Sequence, residues 1–160
     1  MSHNTILVVD DDPGILNLME SILSLNFPEH GLILTASTQK GLERISKQRN
    51  IDIIFFNSLE SAQPTGLEFA RQCRENNPYV IMIYMSGNLT TEKMHKLSEV
   101  GIDMFLQKPV KPDPLTAVVN NAINRHKHLL NGKTPSHSEL DRAMNRMVSR
   151  LESKLAVQED

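Results

Sequence analysis

Polar side chains that can bind a cation or a phosphoryl group follow four of the apolar runs in this 160-residue chain. They are Asp10 and Asp11, Asn57, Ser86, and Lys108. Adjacent carboxylates repel one another unless a cation lies between them, and oxygen ligands of this kind suit Mg²⁺. A lysine and a hydroxyl group can balance and hydrogen-bond a phosphoryl group. The residue types therefore indicate phosphoryl chemistry, with Asn57 as an uncharged amide among them.

Five apolar segments alternate with segments of helical period, and this alternation decides where those side chains lie. The predicted strands cover residues 5–9, 32–36, 51–56, 79–85 and 103–107. A helical pattern follows each strand, the last from about Pro112 to Leu130. Parallel strands joined by helical crossovers form an open sheet with helices on both faces, and ligands bind beyond the carboxyl ends of its strands. We predict a doubly wound, five-stranded parallel α/β domain with the polar residues at one edge.

Four sequence pieces resemble the receiver domain of two-component response regulators, and the resemblance covers residues 5 to about 128. The pieces are ILVVDDDP, IDIIFFN, IMIYMSG and GIDMFLQKP. Each is a weak signal alone, but the four occur in the order, at the separations and on the elements that the family has. The resemblance implies the flavodoxin-like receiver fold with strand order 2-1-3-4-5.

The resemblance also implies a role for each polar residue. Asp10 and Asp11 are similar to the acidic pair that holds Mg²⁺, with Asp11 as direct ligand and Asp10 acting through water. Ser86 resembles the hydroxyl that hydrogen-bonds the phosphoryl group, and Lys108 resembles the lysine that pairs with the phosphoryl oxygens. Phe105 lies at the position of the switch aromatic, whose inward or outward rotamer reports the state of the site.

Asn57 lies where the family has its phosphate-accepting aspartate. A carboxylate oxygen can attack phosphorus, whereas an amide oxygen is a poor nucleophile and would give no comparable stable adduct. The amide oxygen could still ligate a cation, but the missing negative charge weakens the expected Mg²⁺ site of Asp10, Asp11 and Asn57. We therefore predict no ordinary phosphotransfer to residue 57 and only weak binding of Mg²⁺ as a cofactor.

The loop after Asn57 also departs from the family pattern. Its sequence is SLESAQPTG, with Glu60 and Ser61 in place of the usual Met-Pro pair and with Gly66 one residue late. A single laboratory change of aspartate to asparagine would leave this loop unaltered, so we interpret the chain as a naturally atypical receiver. The alternative is a phosphorylatable, Mg²⁺-dependent receiver in which residue 57 is engineered or in which Ser58 or Glu60 substitutes for it.

Whole-chain properties set the remaining expectations. The net charge of −2 favours neither nucleic acid nor membrane, and the single cysteine, Cys73, fits a reducing compartment. With no signal peptide or membrane segment apparent in the sequence, we expect a cytoplasmic, non-enzymatic module that works with a histidine kinase or another signalling protein. His126 and His128 lack metal-ligating neighbours at suitable spacing, so we expect both on the surface.

The C-terminal part differs from the body in charge and pattern, so we divide the chain into a receiver domain (1–130), a linker (131–137) and a helix (138–160). The predicted helix has an apolar stripe of Leu140, Met144, Met147, Leu151 and Leu155. Such a stripe is buried against the receiver or a second copy of the chain, so fold-back and homodimerisation both remain open. Basic residues at steps of four add a second alternative, a nucleic-acid adaptor: Arg142, Arg146, Arg150 and Lys154. Because aromatic residues and a recognition motif are missing there, we favour a solvated basic face.

Overall fold

Five strands alternate with five helices along residues 4–131, the part of the chain that the computed structural model describes. The strands are β1 (Thr5–Val9), β2 (Gly31–Thr35), β3 (Ile51–Phe56), β4 (Ile81–Ser86) and β5 (Met104–Gln107). The helices are α1 (Pro13–Asn26), α2 (Thr38–Lys47), α3 (Gly66–Asn76), α4 (Thr91–Glu99) and α5 (Pro112–Leu130). The predicted C-terminal helix and nearly all of the predicted linker lie outside the described residues. Among the helices described, none is both long and apolar enough to cross a membrane.

All strands are parallel and their order in the sheet is β2-β1-β3-β4-β5, which confirms the predicted fold class. Both faces of the sheet are covered by helices, and β1 and β3 are therefore buried along their whole length. Alternate residues of a strand point to opposite faces, so Leu7 and Val9 enter one core layer while Ile6 and Val8 enter the other. The first layer lies under α2, α3 and α4, and the second under α1 and α5.

The start of β4 differs from the prediction by two residues. The apolar character of residues 79–85 predicts a strand from Tyr79, but β4 begins at Ile81. The N–H of Tyr79 donates to the Asn77 side-chain oxygen at 3.0 Å, and the N–H of Val80 donates to the Asn77 carbonyl at 3.3 Å. These two bonds form a turn that delays the strand. The bounds of the other strands agree with the predictions to within one residue.

Four of the five described helices begin at side-chain caps beside the carboxyl edge of the sheet, and two of these caps border the predicted site. Asp12 is the N-cap of α1, and its carboxylate accepts a hydrogen bond from the N–H of Gly14 at 2.8 Å. Thr65 caps α3 in a reciprocal capping box with Glu68. These caps fix where the loops after β1 and β3 end, so they define the length of the two loops that border the predicted site.

Candidate functional site

The carboxyl ends of four neighbouring strands bring the predicted site residues to one edge of the sheet. Asp10 and Asn57 directly follow the paired last residues of β1 and β3. Ser86 ends β4 and Lys108 follows β5, and the backbone N–H of Lys108 donates to the Ser86 carbonyl at 2.8 Å. A carboxylate, an amide, a hydroxyl group and an ammonium group therefore surround one crevice.

Asp10 and Lys108 form the charged centre of this crevice. Lys108 Nζ lies 2.8 Å from Asp10 Oδ2, and the Asp10 side chain is fully buried whereas that of Lys108 is 22% exposed. Asp10 Oδ1 accepts a hydrogen bond from the backbone N–H of Asp12 at 2.9 Å. Both oxygens of the buried carboxylate are therefore engaged, and its charge is compensated by the lysine, as a charge removed from water requires.

The other two aspartates of the triplet have different surroundings. Asp11 is exposed at the rim of the crevice. Asp12 is exposed as well, and its carboxylate is used to cap α1. Helix capping therefore accounts for Asp12, and Asp10 is the only aspartate of the three that enters the interior.

Asn57 presents a buried acceptor to the crevice. Its side-chain oxygen Oδ1 is inaccessible to solvent and has no hydrogen-bond partner within residues 4–131. A buried acceptor without a partner costs about 1–3 kcal/mol, so this atom is suited to a water molecule, a donor group or a cation. The amide therefore leaves one interaction of the site unsatisfied by the described part of the chain.

The loop from Asn57 to Gly66 is closed by a tight backbone contact. The N–H of Gly66 donates to the Ser58 carbonyl at 2.8 Å. A Cβ atom at position 66 would lie 2.0 Å from the Asn57 carbonyl oxygen, so only glycine fits there. Leu59 has a φ of 41° and packs against the core, and Glu60 after it is exposed. This close backbone approach is the structural reason for a glycine at position 66.

Ser86 and Phe105 lie on the two neighbouring strands at the other side of the crevice. Ser86 is partly exposed, and its Oγ accepts a hydrogen bond from the N–H of Asn88 at 3.0 Å. Phe105 is 4% exposed and packs in the core layer under α2, α3 and α4. The aromatic side chain is therefore turned inward, and the serine hydroxyl is held by its own loop.

Gln107 is a residue of this edge that the sequence reasoning missed. Its Nε2 donates to the Gly87 carbonyl at 3.1 Å and to the Lys108 carbonyl at 3.2 Å. Gln107 thereby joins the loop after β4 to the loop after β5, in which the Lys108–Pro109 peptide bond is cis. Its place as the last strand residue before Lys108 is the one sequence signal that could have indicated this role.

The residues present fit Mg²⁺ poorly. Mg²⁺ requires oxygen ligands close to octahedral geometry. Asp10 has both oxygens engaged, Asp11 is exposed, and Asn57 offers a neutral oxygen. Within residues 4–131, no group of three or more His, Cys, Asp or Glu side chains could hold a metal ion. The ligand set of Asp10, Asp11 and Asn57 therefore stays a prediction.

The family model of the response regulator receiver domain matches residues 6–120, and the chain belongs to this family. Receiver domains are signalling domains of two-component systems rather than typical enzymes, and they act with histidine kinases. The family assignment and the strand order inferred from the sequence resemblance are thus confirmed. The roles of the individual site residues stay predictions.

Among curated relatives, the transcriptional regulatory protein GlrR of Escherichia coli K12 is 25% identical over 127 residues, which cover 78% of this chain and 28% of GlrR. The response regulator Rre1 of Synechocystis is 24% identical over 123 residues, which cover 76% of this chain and 52% of Rre1. The chain therefore spans between about a quarter and a half of these relatives.

Solved structures give the same result for the fold. A response regulator receiver domain protein of Clostridium thermocellum is 25% identical with a TM-score of 0.69, covering 79% of this chain and 98% of that one. NtrX from Brucella abortus is 25% identical with a TM-score of 0.73, covering 81% of this chain and 29% of NtrX. The NtrC4 receiver domain, solved as a dimer, shares the fold at 20% identity and a TM-score of 0.68, with 76% of this chain and 98% of that one covered.

Proposed function

We propose that this chain is an atypical receiver that forms no aspartyl phosphate at residue 57 and signals through protein–protein contact. One observation carries the proposal. The acceptor position beyond β3 holds the amide of Asn57, while Asp10, Ser86 and Lys108 occupy the neighbouring strand ends. The crevice thus keeps the groups that would surround a phosphoryl group but has an amide where the nucleophile would be.

The chemistry of the amide supports this function. Formation of an acyl phosphate requires a carboxylate oxygen to attack phosphorus with a lone pair that carries negative charge. The amide of Asn57 is neutral, and its lone pairs are delocalised toward the C–N bond. Lys108, which would otherwise be available to phosphoryl oxygens, is engaged with Asp10 at 2.8 Å. Both features oppose phosphotransfer at this position.

The output of such a module is contact with a partner. On the family resemblance we place the contact surface at α4, β5 and α5, about residues 90–130, with a histidine kinase or another signalling protein as partner. The proposed partners also include a second copy of this chain, which would form a homodimer. A ligand or partner can bias the switch only if it binds one conformation of the domain more tightly than the other.

Transfer to a neighbouring residue has less support than the absence of transfer. Glu60 is exposed on the loop, beyond a left-handed Leu59. Ser58 is partly buried, and its backbone carbonyl is fixed by Gly66. A role as nucleic-acid adaptor rests on residues 142–154, which lie outside the described residues.

The test is to incubate the full chain with Mg²⁺ and a small-molecule phosphodonor and then to measure its intact mass. We expect the mass of the unchanged chain to stay the same, because residue 57 offers no carboxylate. Asn57→Asp is the matched control, and we expect it to gain about 80 Da, the mass of one phosphoryl group.

A stable gain of the same size in the unchanged chain would contradict the proposal. The variants Ser58→Ala and Glu60→Gln would then show which side chain accepts the group. Loss of the added mass in one of them would establish a substitute acceptor.

A further inference from the structure

We propose that Lys108 serves as a tethered cation for the crevice, so that the buried carboxylate of Asp10 is balanced by the protein itself and not by a metal ion. This inference concerns the cation rather than the phosphoryl group. It therefore does not require the proposed function to be correct, and it is tested without a phosphodonor.

The geometry of the ion pair is the first support. Asp10 is fully buried, and Lys108 Nζ lies 2.8 Å from its Oδ2. Within residues 4–131, Asp10 has no other ion-pair partner. A carboxylate removed from water is very unfavourable unless an opposite charge is close, so Lys108 is the group that compensates the charge at this site.

The lysine is also held in place for this contact. Its backbone N–H donates to the Ser86 carbonyl at 2.8 Å, and its carbonyl accepts from Gln107 Nε2 at 3.2 Å. The backbone on both sides of Lys108 is thus attached to neighbouring strand ends. Because the backbone is already fixed, the contact with Asp10 orders only the side chain, whereas a mobile loop lysine would lose backbone freedom as well.

The neutral residue at position 57 explains why one ammonium group is enough to balance the negative charge in the crevice. Apart from the exposed Asp11, the side chains that enter the crevice from the ends of β1 and β3 carry one negative charge, that of Asp10, because Asn57 carries none. The Asn57 oxygen has no hydrogen-bond partner within residues 4–131, so it does not compete for Lys108. A carboxylate at residue 57 would add a second charge and create the need for a further cation.

A Mg²⁺ ion would gain little in such a crevice. To bind Asp10 it would have to displace the ammonium group of Lys108 and lose part of its tightly held water shell. Its remaining ligands would be the exposed Asp11 and the neutral amide of Asn57. The tethered cation therefore makes the domain insensitive to Mg²⁺.

Thermal unfolding of the full chain tests this, with millimolar MgCl₂ compared against NaCl of equal ionic strength. We expect the Tm of the unchanged chain to be the same in MgCl₂ as in NaCl. Lys108→Met should unfold at a lower Tm in NaCl, because Asp10 then has no opposite charge. Mg²⁺ should raise the Tm of that variant by several degrees, since the metal ion replaces the ammonium group.

Lys111→Met is the matched control, because Lys111 is an exposed lysine three residues further along the chain. It should behave like the unchanged chain in both salts. Asn57→Asp keeps Lys108 and adds one negative charge, so Mg²⁺ should raise its Tm as well. This second variant provides a test that does not depend on whether Lys108→Met folds.

Two results would overturn the inference. One is a rise in the Tm of the unchanged chain with Mg²⁺ that equals the rise of Asn57→Asp. The other is a folded Lys108→Met whose Tm is the same in both salts. Failure of the proposed function would appear separately, as added mass on the unchanged chain after treatment with a phosphodonor.

Discussion

An aspartate and an asparagine at position 57 differ in charge and in hydrogen-bonding groups but hardly in size. The strand β3 that precedes Asn57 is fully buried and paired on both sides, so the residue is delivered to the same place whichever side chain it carries. The exchange therefore leaves the fold intact and alters the chemistry of the crevice alone. This separation is why Asn57→Asp is an informative control in both experiments above.

The Asp10–Lys108 ion pair shows where residue-scale prediction from sequence ends. Apolar runs and their endings were sufficient to place Asp10, Asn57, Ser86 and Lys108 at one edge of the sheet. They could not reveal that Lys108 binds Asp10, because that choice depends on side-chain rotamers and on the depth of burial. The bond from Asp12 to Asp10 likewise depends on the local turn and has no sequence pattern of its own.

Gly66→Ala should destabilise the domain. The added methyl group would lie 2.0 Å from the Asn57 carbonyl oxygen and 2.7 Å from that of Ser58, so the loop backbone would have to move. We expect a loss of about 1–3 kcal/mol in the free energy of unfolding, the range typical of a forced steric shift. Unfolding in urea measures it.

Gly87→Ala is the control for this substitution. A Cβ atom at Gly87 would lie 4.0 Å from the nearest neighbour, the Cβ of Lys108, and the site is exposed. The free energy of unfolding should therefore change much less in Gly87→Ala than in Gly66→Ala. Equal effects of the two substitutions would show that the contact between Gly66 and Asn57 is not restrictive.

At the scale of elements, the start of β3 and the C-terminal part of α5 share a buried pair of titratable groups. Asp52 Oδ2 lies 3.6 Å from His126 Nδ1, and both side chains are less than 10% exposed. Neither carboxyl oxygen of Asp52 accepts a hydrogen bond within residues 4–131. The pair lies at the amino end of β3, opposite the crevice.

The position of His126 corrects the prediction that this histidine lies on the surface. It follows Leu115, Val119 and Ala122 on the buried side of α5, at spacings of four, three and four residues. This periodicity was readable in the sequence and outweighs the polarity of the imidazole. The surface prediction was wrong because it rested on the lack of metal-ligating neighbours, which does not indicate the face of the helix on which His126 lies.

Burial determines how the pair titrates. Burial raises the pKa of Asp52 from 3.8 to about 7, and the nearby backbone N–H groups of Asp52 and Thr5 oppose the rise only in part. Burial also lowers the pKa of His126 from 6.5. Both shifts favour uncharged forms, so in mildly acidic solution, below the pKa of Asp52 and above that of His126, the 3.6 Å separation joins two largely neutral groups rather than a full ion pair.

The pH dependence of stability follows from these directions. For Asp52, the folded state keeps its proton up to about pH 7 while the unfolded state releases it near pH 3.8, so stability falls as the pH rises through this interval. For His126, the contribution is present above pH 6.5 and is lost as the pH falls through the lowered folded pKa.

Asp52→Asn should therefore become more stable relative to the unchanged chain as the pH rises from 3.8 to about 7, the interval between the unfolded and folded pKa values of Asp52. The full shift corresponds to a relative gain of at most about 4 kcal/mol. Urea unfolding at both ends of the interval measures it, with Asp113→Asn, at an exposed position of α5, as control. If the two variants respond to pH alike, the stabilising proton is not on Asp52.

At the scale of the whole molecule, the sheet order follows from parallel strands that are covered on both faces. Short apolar runs separated by helical segments admit few topologies, and the four motif pieces select one of them. The turn at Asn77 was not predicted, because its hydrogen bonds engage Tyr79 and Val80, the first two residues of an apolar run that otherwise has the character of a strand. Local turn chemistry thus limited the accuracy of one strand boundary while the architecture was predictable.

The full chain should not bind duplex DNA at moderate salt. Its net charge is −2, and the basic residues between positions 125 and 154 give only a local net charge of +4. Few phosphate contacts produce weak binding that added salt abolishes, because counterions compete for the same sites. A gel-shift titration over a range of salt concentrations measures this. Binding that survives moderate salt would instead support the adaptor role.

The amide at position 57 also bears on how long a signal from this domain would last. A conventional acyl phosphate decays by hydrolysis, so its lifetime acts as a clock inside the receiver. In the proposed function, residue 57 forms no such covalent state, so the domain has no internal clock. The duration of the response is then set by the dissociation rate of the partner, and its strength by how many copies of the protein the cell makes.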